Sequence, residues 1–95
     1  MPTRPPENDP HRGEQWQRRR ELIGHRIRTL RLERGLSQES LALESGIARN
    51  QLIQMEHGRR GILVERLYDI ADVLSVPVGE LLSDGDSTGP VAGRS

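Results

Sequence analysis

The chain has 95 residues, of which 29% are charged, and its 14 arginines balance 14 acidic residues to a formal net charge of zero. It has no cysteine, which excludes a disulfide framework and a thiolate zinc site. Its length is that of one small domain. No apolar run approaches the roughly 20 residues that span a bilayer, and no signal-peptide core opens the sequence. We therefore expect a cytoplasmic protein without membrane contact.

The charge is unevenly distributed along the chain. Residues 22–60 carry seven arginines and four acidic residues, a net charge of +3, whereas residues 61–82 carry one arginine and four acidic residues, a net charge of −3. A neutral total argues against nucleic acid, which usually selects basic proteins. Electrostatic potential is local within a Debye length of about 8–10 Å, however, so a neutral total is compatible with a basic face.

The two ends of the chain are predicted to be flexible. Residues 1–13 hold four of the six prolines and no Leu, Ile or Val, and residues 83–95 are similarly poor in large apolar residues. We expect a flexible arm over 1–13 and a flexible tail over 83–95. All twelve leucines and all six isoleucines lie within residues 22–82, which must therefore supply the core. The domain is expected over residues 14–82, with residues 14–21 as a possible extension of the first helix.

The first predicted helix carries Ile23, Ile27 and Leu30 on one face and ends at Gly35. Residues 14–21 have two interpretations. Their arginines form either a basic arm that enters a minor groove or the exposed side of an extended first helix. Trp16 shares the apolar face of the helix, which favours the extension and places Trp16 against the domain or a second subunit.

Four short helices are predicted to follow. Ser37 is a good N-cap for the second helix, which ends at Gly46. The third runs over about 49–57 behind the poor N-cap Ala48. The fourth covers about 63–74 with Val64 among its buried residues, and Pro77 begins a fifth. Five helices without strands make an all-α domain.

Helices two and three are joined by a very short turn, the geometry of a helix-turn-helix, whose second helix enters the major groove of DNA. Five sequence motifs lie within or close to this helix-turn-helix. They are Gly-Leu-Ser-Gln-Glu at 35–39, Leu-Ala at 41–42, Gly-Ile at 46–47, Glu-x-Gly at 56–58 and Leu-x-x-Ile-Ala-x-x-Leu at 67–74. With them, residues 22–82 resemble the lambda-repressor-like (Xre) family of bacterial DNA-binding proteins. The resemblance implies the five-helix fold of that family.

The resemblance also implies a role for individual residues. Base contacts fall on the third helix, at Arg49, Asn50, Gln51 and Gln54. Phosphate contacts fall at Ser37, Gln38, His57, Arg59 and Arg60. Arg31 and Glu56 match a buried ion pair of the family. The residue types agree independently, because Arg, Asn and Gln can each form two hydrogen bonds to a base edge.

The predicted function is a sequence-specific transcriptional regulator, repressor-like in its action. One recognition helix, here 49–57, reads only a few base pairs, so we expect a homodimer on a roughly palindromic operator of double-stranded DNA. Helices four and five carry the negative charge and are expected to lie away from DNA. The candidate dimer contacts are Trp16, Tyr68, Val78, Leu81 and Leu82.

Two other functions remain open at this stage. An antitoxin would use the same fold, with the arm or tail binding a protein partner, and a protein-interaction module would have lost DNA binding. An enzyme is not expected, because no catalytic constellation is present. The three histidines lack metal-ligand spacing, so no metal and no cofactor is predicted.

Overall fold

The computed structural model describes residues 10–83, and within that range the chain forms α-helices and no strand. The helices are α1 (Pro10–Glu33), α2 (Gln38–Ser45), α3 (Arg49–Glu56), α4 (Val64–Leu74) and α5 (Val78–Leu82). The predicted five-helix, all-α domain is confirmed. Residues 1–9 of the predicted arm and residues 84–95 of the predicted tail lie outside the described residues.

Helix α1 is longer than the sequence indicated. It has 24 residues and begins at Pro10, so residues 10–13, expected in the arm, are helical and residues 14–21 continue the helix. A proline is tolerated at the first helical position, because its missing N–H would have no partner there. Residues 11–16 are exposed. The amphipathic pattern therefore could not indicate where the helix begins.

The core draws on all five helices. Its fully buried large side chains are Ile27, Leu41, Leu52, Ile70, Leu74 and Leu81. Burying each such side chain stabilises the fold by about 1.5–3 kcal/mol before entropic costs are counted. None of the helices found within residues 10–83 is both long and apolar enough to cross a bilayer.

Two residues are placed differently from the prediction. Val64 was expected in the core, but it is 62% exposed, because it lies in the first turn of α4, ahead of the buried stripe that begins at Leu67. Leu81 was a candidate dimer contact, but it is fully buried in the core, so it is not available to a second copy. Its neighbour Leu82 is the exposed leucine of α5.

Candidate DNA interface

The turn between α2 and α3 is built on a left-handed glycine. Gly46 has φ 73°, and its N–H caps α2 by donating to the carbonyls of Ala42 and Leu43. The N–H of Ile47 also donates to the Ala42 carbonyl at 2.9 Å, and the Ile47 side chain is buried. This pairing satisfies the last carbonyls of α2 and turns the chain sharply. Three residues therefore suffice to join the two helices.

Helix α3 has one buried face and one polar face. Leu52 and Met55 are buried in the core, whereas the first three residues of the helix, Arg49, Asn50 and Gln51, are exposed. Ala48 occupies the N-cap without a side-chain hydrogen bond, as the sequence suggested. The first turn of α3 therefore presents its side chains outward.

The polar face of α3 borders an open groove of about 400 Å³. Its lining residues are Asn50, Gln51 and Gln54 of α3 together with Arg60 of the following loop. Three predicted base contacts and one predicted phosphate contact thus meet in one groove. The fourth predicted base contact, Arg49, is exposed at the start of the same helix. Each of these side chains can donate hydrogen bonds to base edges or phosphates.

The orientation of α3 is fixed by a buried ion pair. Arg31 of α1 meets Glu56 of α3 in two hydrogen bonds, Nε to Oε2 at 2.7 Å and Nη2 to Oε1 at 3.1 Å. Arg31 Nη1 donates to the carbonyl of Leu36 at 2.9 Å. Gln38 Nε2 donates to Glu56 Oε1 at 3.0 Å. The ion pair that the resemblance implied is present and joins α1 to the end of α3, and the Gln38 hydrogen bond adds the start of α2.

Two glycines let α1 pass close to α3. A Cβ on Gly24 would lie 2.6 Å from the carbonyl oxygen of Glu56, and one on Gly58 would lie 2.7 Å from the Cα of Glu21. Gln17 Nε2 donates to the Gly58 carbonyl at 3.3 Å. Sequence reasoning did not single out Gly24. A glycine inside a predicted helix was the signal available for it.

The predicted phosphate contacts are placed in two groups. Ser37 and Gln38 lie at the start of α2, where Ser37 Oγ accepts from the N–H of Ser40 at 2.9 Å as the predicted N-cap. His57, Arg59 and Arg60 are exposed just beyond α3. The two groups therefore lie at the beginning of α2 and just after α3.

Arg66 was missed by the sequence reasoning. It lies in the first turn of α4 and lines a second cleft of about 100 Å³, together with Gln51, Gln54 and Arg60. The acidic segment 61–82 was expected to lie away from DNA. Its single arginine, Arg66, lies beside α3. The net charge of residues 61–82 does not indicate that the one positive side chain lies at the start of α4.

The remaining candidate dimer contacts lie on other surfaces. Trp16 is 46% exposed and, with Ile23 and Leu82, lines a pocket of about 200 Å³ between α1 and α5. The guanidinium carbon of Arg19 lies 4.9 Å from the centre of the Trp16 ring system. Tyr68 is exposed.

Val78 is partly buried against the core, as is Ile23. Within residues 10–83 no group of three or more His, Asp or Glu side chains is arranged to hold a metal ion.

A short turn between two helices, with the second helix exposing a polar face, defines a helix-turn-helix domain. A family model described as "Helix-turn-helix" matches residues 27–81 of this chain, from the last third of α1 into α5. The chain belongs to this helix-turn-helix family. The resemblance drawn from residues 22–82 is thereby confirmed.

Individual relatives agree with the family. The chain is 39% identical over 69 residues to an uncharacterized HTH-type transcriptional regulator of Sinorhizobium fredii, covering 73% of this chain and 90% of that protein. It is 33% identical over 66 residues to the cryptic phage CTXphi transcriptional repressor RstR of Vibrio cholerae, covering 70% of this chain and 60% of the repressor. Both relatives are named as transcription regulators.

A solved structure shares the fold. The restriction-modification controller protein C.AhdI of Aeromonas hydrophila is 35% identical to this chain with a TM-score of 0.64, over 65% of this chain and 94% of that protein. The similarity therefore extends over almost the whole of that protein's chain.

Proposed function

We propose that this protein is a sequence-specific DNA-binding transcriptional regulator that binds its operator as a homodimer, with α3 in the major groove. The observation that carries the proposal is the polar face of α3, where Asn50, Gln51 and Gln54 share one open groove with Arg60. The relatives named as transcriptional regulators support the same function.

The base-reading residues follow from hydrogen-bond chemistry. Arg49 suits guanine, whose O6 and N7 accept two parallel hydrogen bonds, and Asn50, Gln51 and Gln54 suit adenine, which offers N6–H and N7. The exposed start of α3 brings Arg49, Asn50 and Gln51 to the groove first, in the manner of a recognition helix.

The phosphate contacts are assigned to both sides of the recognition helix. His57, Arg59 and Arg60 follow α3, and Gln38 and Ser37 begin α2. Gln38 contributes in two ways, because its amide N–H also holds Glu56 at 3.0 Å. Phosphate contacts made by arginine release counterions, so affinity falls steeply as salt rises.

The dimer contact is assigned to the apolar surface around Trp16 and Leu82. Both side chains are about half exposed and line one pocket with Leu22 and Ile23. Arg26 of α1 also links to α5, with Nη2 of Arg26 2.8 Å from Oε1 of Glu80. Tryptophan and leucine side chains on one fixed surface suit the core of a small interface.

The proposed setting is the cytoplasm, where the operator DNA is accessible, and the proposed role is regulation of transcription and not catalysis. Mobility-shift experiments at low salt, on fragments of the genome that encodes the protein, test DNA binding directly. We expect a few fragments to shift and the shift to disappear as salt rises. If no fragment shifts at low salt, the proposal is wrong.

Sedimentation tests the homodimer. We expect the wild-type protein to sediment as a dimer and the Trp16→Ala variant to sediment as a monomer at the same concentration. Leu43→Ala is the matched control, because Leu43 is a large apolar residue that is 79% exposed and lies outside the Trp16–Leu82 pocket. A Trp16→Ala protein that remains dimeric would contradict the assigned contact.

A further inference from the structure

The cleft between α3 and the start of α4 combines cationic and amide donors. Arg60 and Arg66 lie on its walls with Gln51 and Gln54, and Leu63, the N-cap of α4, also lines it. It shares three of these residues, Gln51, Gln54 and Arg60, with the groove along α3, so the two spaces adjoin. Neither space has an acidic side chain among its lining residues.

We propose that this cleft binds one phosphate of the DNA backbone, held between Arg60 and Arg66. The inference rests on the proposed DNA-binding function and adds Arg66 as a contact from the otherwise acidic segment. One phosphate held here lies beside Gln51 and Gln54. It therefore sets the depth and register at which those two side chains reach the base edges.

Arg66 has unused hydrogen-bonding capacity. A guanidinium carries five N–H donors. Nη1 of Arg66 contacts Oδ2 of Asp69 at a long 3.3 Å, and both side chains remain substantially exposed. Its Nε is buried and has no acceptor among the described residues. Buried polar groups in proteins are normally hydrogen-bonded, so this Nε is unsatisfied. Because solvent does not reach Nε, the donors that Arg66 can offer to a ligand in the cleft are those of its Nη groups.

A phosphate in the cleft can accept hydrogen bonds from the Nη groups of Arg66. Arginine binds phosphate with two parallel, charge-assisted hydrogen bonds, which Asp69 at its observed distance does not match. The start of α4 adds to the attraction, because Leu63 supplies no side-chain cap and the first N–H groups of the helix point toward its N-terminal end. Glu65 in the same turn opposes this attraction, but it does not line the cleft.

Asp69 has an inhibitory role in this arrangement. It competes with the phosphate for Arg66, since both are anionic acceptors for the same guanidinium. Removing the carboxylate should therefore strengthen DNA binding, whereas removing the guanidinium should weaken it. A purely structural role for the Arg66–Asp69 pair would give two changes of the same sign.

The test uses a duplex selected by the wild-type protein from a random pool, titrated at several salt concentrations. We expect Arg66→Gln to bind about three- to tenfold more weakly and to lower the salt slope by about one phosphate contact. Arg66→Lys keeps the charge and should retain the salt slope with intermediate affinity. Arg28→Gln, which removes an exposed α1 arginine outside the cleft, is the control.

Two further measurements distinguish a specific phosphate-binding site from general electrostatic attraction. Asp69→Asn should bind about two- to threefold more tightly, while the control Asp72→Asn, exposed on the same helix, should change affinity less. Neutral methylphosphonates placed singly along the duplex should reveal one phosphate whose neutralisation weakens the wild-type protein but not Arg66→Gln. Thermal unfolding of each variant verifies that it is folded.

The outcomes are distinct. One outcome is that the wild-type protein binds a selected duplex but Arg66→Gln matches Arg28→Gln in affinity, salt slope and methylphosphonate pattern. The proposed phosphate-binding site is then wrong, and the regulator function stands. If the wild-type protein selects no duplex, both the regulator function and the proposed phosphate-binding site are wrong.

Discussion

Two arginine–carboxylate pairs in this domain have the same chemistry and opposite surroundings. Arg31 and Glu56 are 2.7 Å apart with side chains only 8% and 2% exposed, whereas Arg66 and Asp69 are 3.3 Å apart with side chains 37% and 42% exposed. Burial makes the first pair part of the fold, because neither partner can turn to water. Exposure leaves the second arginine accessible to another anion, which the proposed phosphate contact requires.

The difference extends to the surfaces that the pairs support. The buried pair, with Gln38, fixes the end of α3 against the beginning of α2. The exposed pair lies beside the cleft that opens onto the recognition face. One pair therefore determines where α3 lies, and the other lies beside the polar face that α3 presents.

The largest expected effect comes from breaking the buried pair. Glu56→Ala should lower the free energy of unfolding by about 3–5 kcal/mol, because it leaves the Arg31 guanidinium buried without its anion. Urea denaturation measures this loss. Replacing both partners, as Arg31→Met with Glu56→Leu, should cost less than the single change. A loss below about 1 kcal/mol for Glu56→Ala would contradict the structural role of the pair.

Substitutions on the polar face of α3 should weaken DNA binding and leave the stability of the domain almost unchanged. Arg49→Ala and Gln54→Ala should each cost about 1–3 kcal/mol in binding to the selected duplex and relax the preference at one base position. Their unfolding free energies should change little, since Arg49 is exposed and Gln54 lines the groove. Titrations on the selected duplex and on single-base variants measure both effects. An equal loss on every duplex would mark the residue as a phosphate contact.

A smaller effect is expected at the N-cap of α3. Ala48 supplies no hydrogen bond to the first turn. Ala48→Ser should therefore stabilise the domain by about 1 kcal/mol and raise the melting temperature in calorimetry. The control is Ser37→Ala, which removes the N-cap hydrogen bond of α2 at 2.9 Å and should lower the melting temperature. An unchanged or lower melting point for Ala48→Ser would contradict the assignment of the cap.

The smallest effect on stability is expected at the exposed pair. Asp69→Asn should change the free energy of unfolding by less than about 0.5 kcal/mol, because solvent screens an exposed i, i+3 ion pair. Denaturation of this variant beside Glu56→Ala measures the contrast between the two pairs directly. A loss comparable to that of Glu56→Ala would remove the distinction between them.

Much of the fold could be predicted from local patterns. Gly35 and Gly46 end their helices in left-handed conformations, with φ of 69° and 73°. Both conformations could be predicted, because each glycine follows the last residues of an apolar helical pattern, where a left-handed C-terminal cap is common. The beginning of α1 could not be predicted in this way. Residues 10–13 are polar or proline and glycine, and that composition favours an arm as much as an exposed helix.

The candidate site was predicted in part. The family resemblance singled out Asn50 and Gln54, and it also singled out the pair of Arg31 and Glu56. Arg66 was not singled out, because its position beside α3 depends on how α4 packs after the loop. The close approach at Gly24 likewise depends on the crossing of two helices, which no local pattern contains.

Selection from a random pool of double-stranded DNA, performed in parallel with the wild-type protein and with Gln54→Ala, tests the role of α3 most directly. The wild-type protein should select two inverted half-sites about one helical turn apart, roughly 34–36 Å. Gln54→Ala should select the same spacing with the preference lost at one position in each half-site. Identical sequences selected by both proteins, or no enrichment by the wild-type protein, would contradict base reading by the polar face of α3.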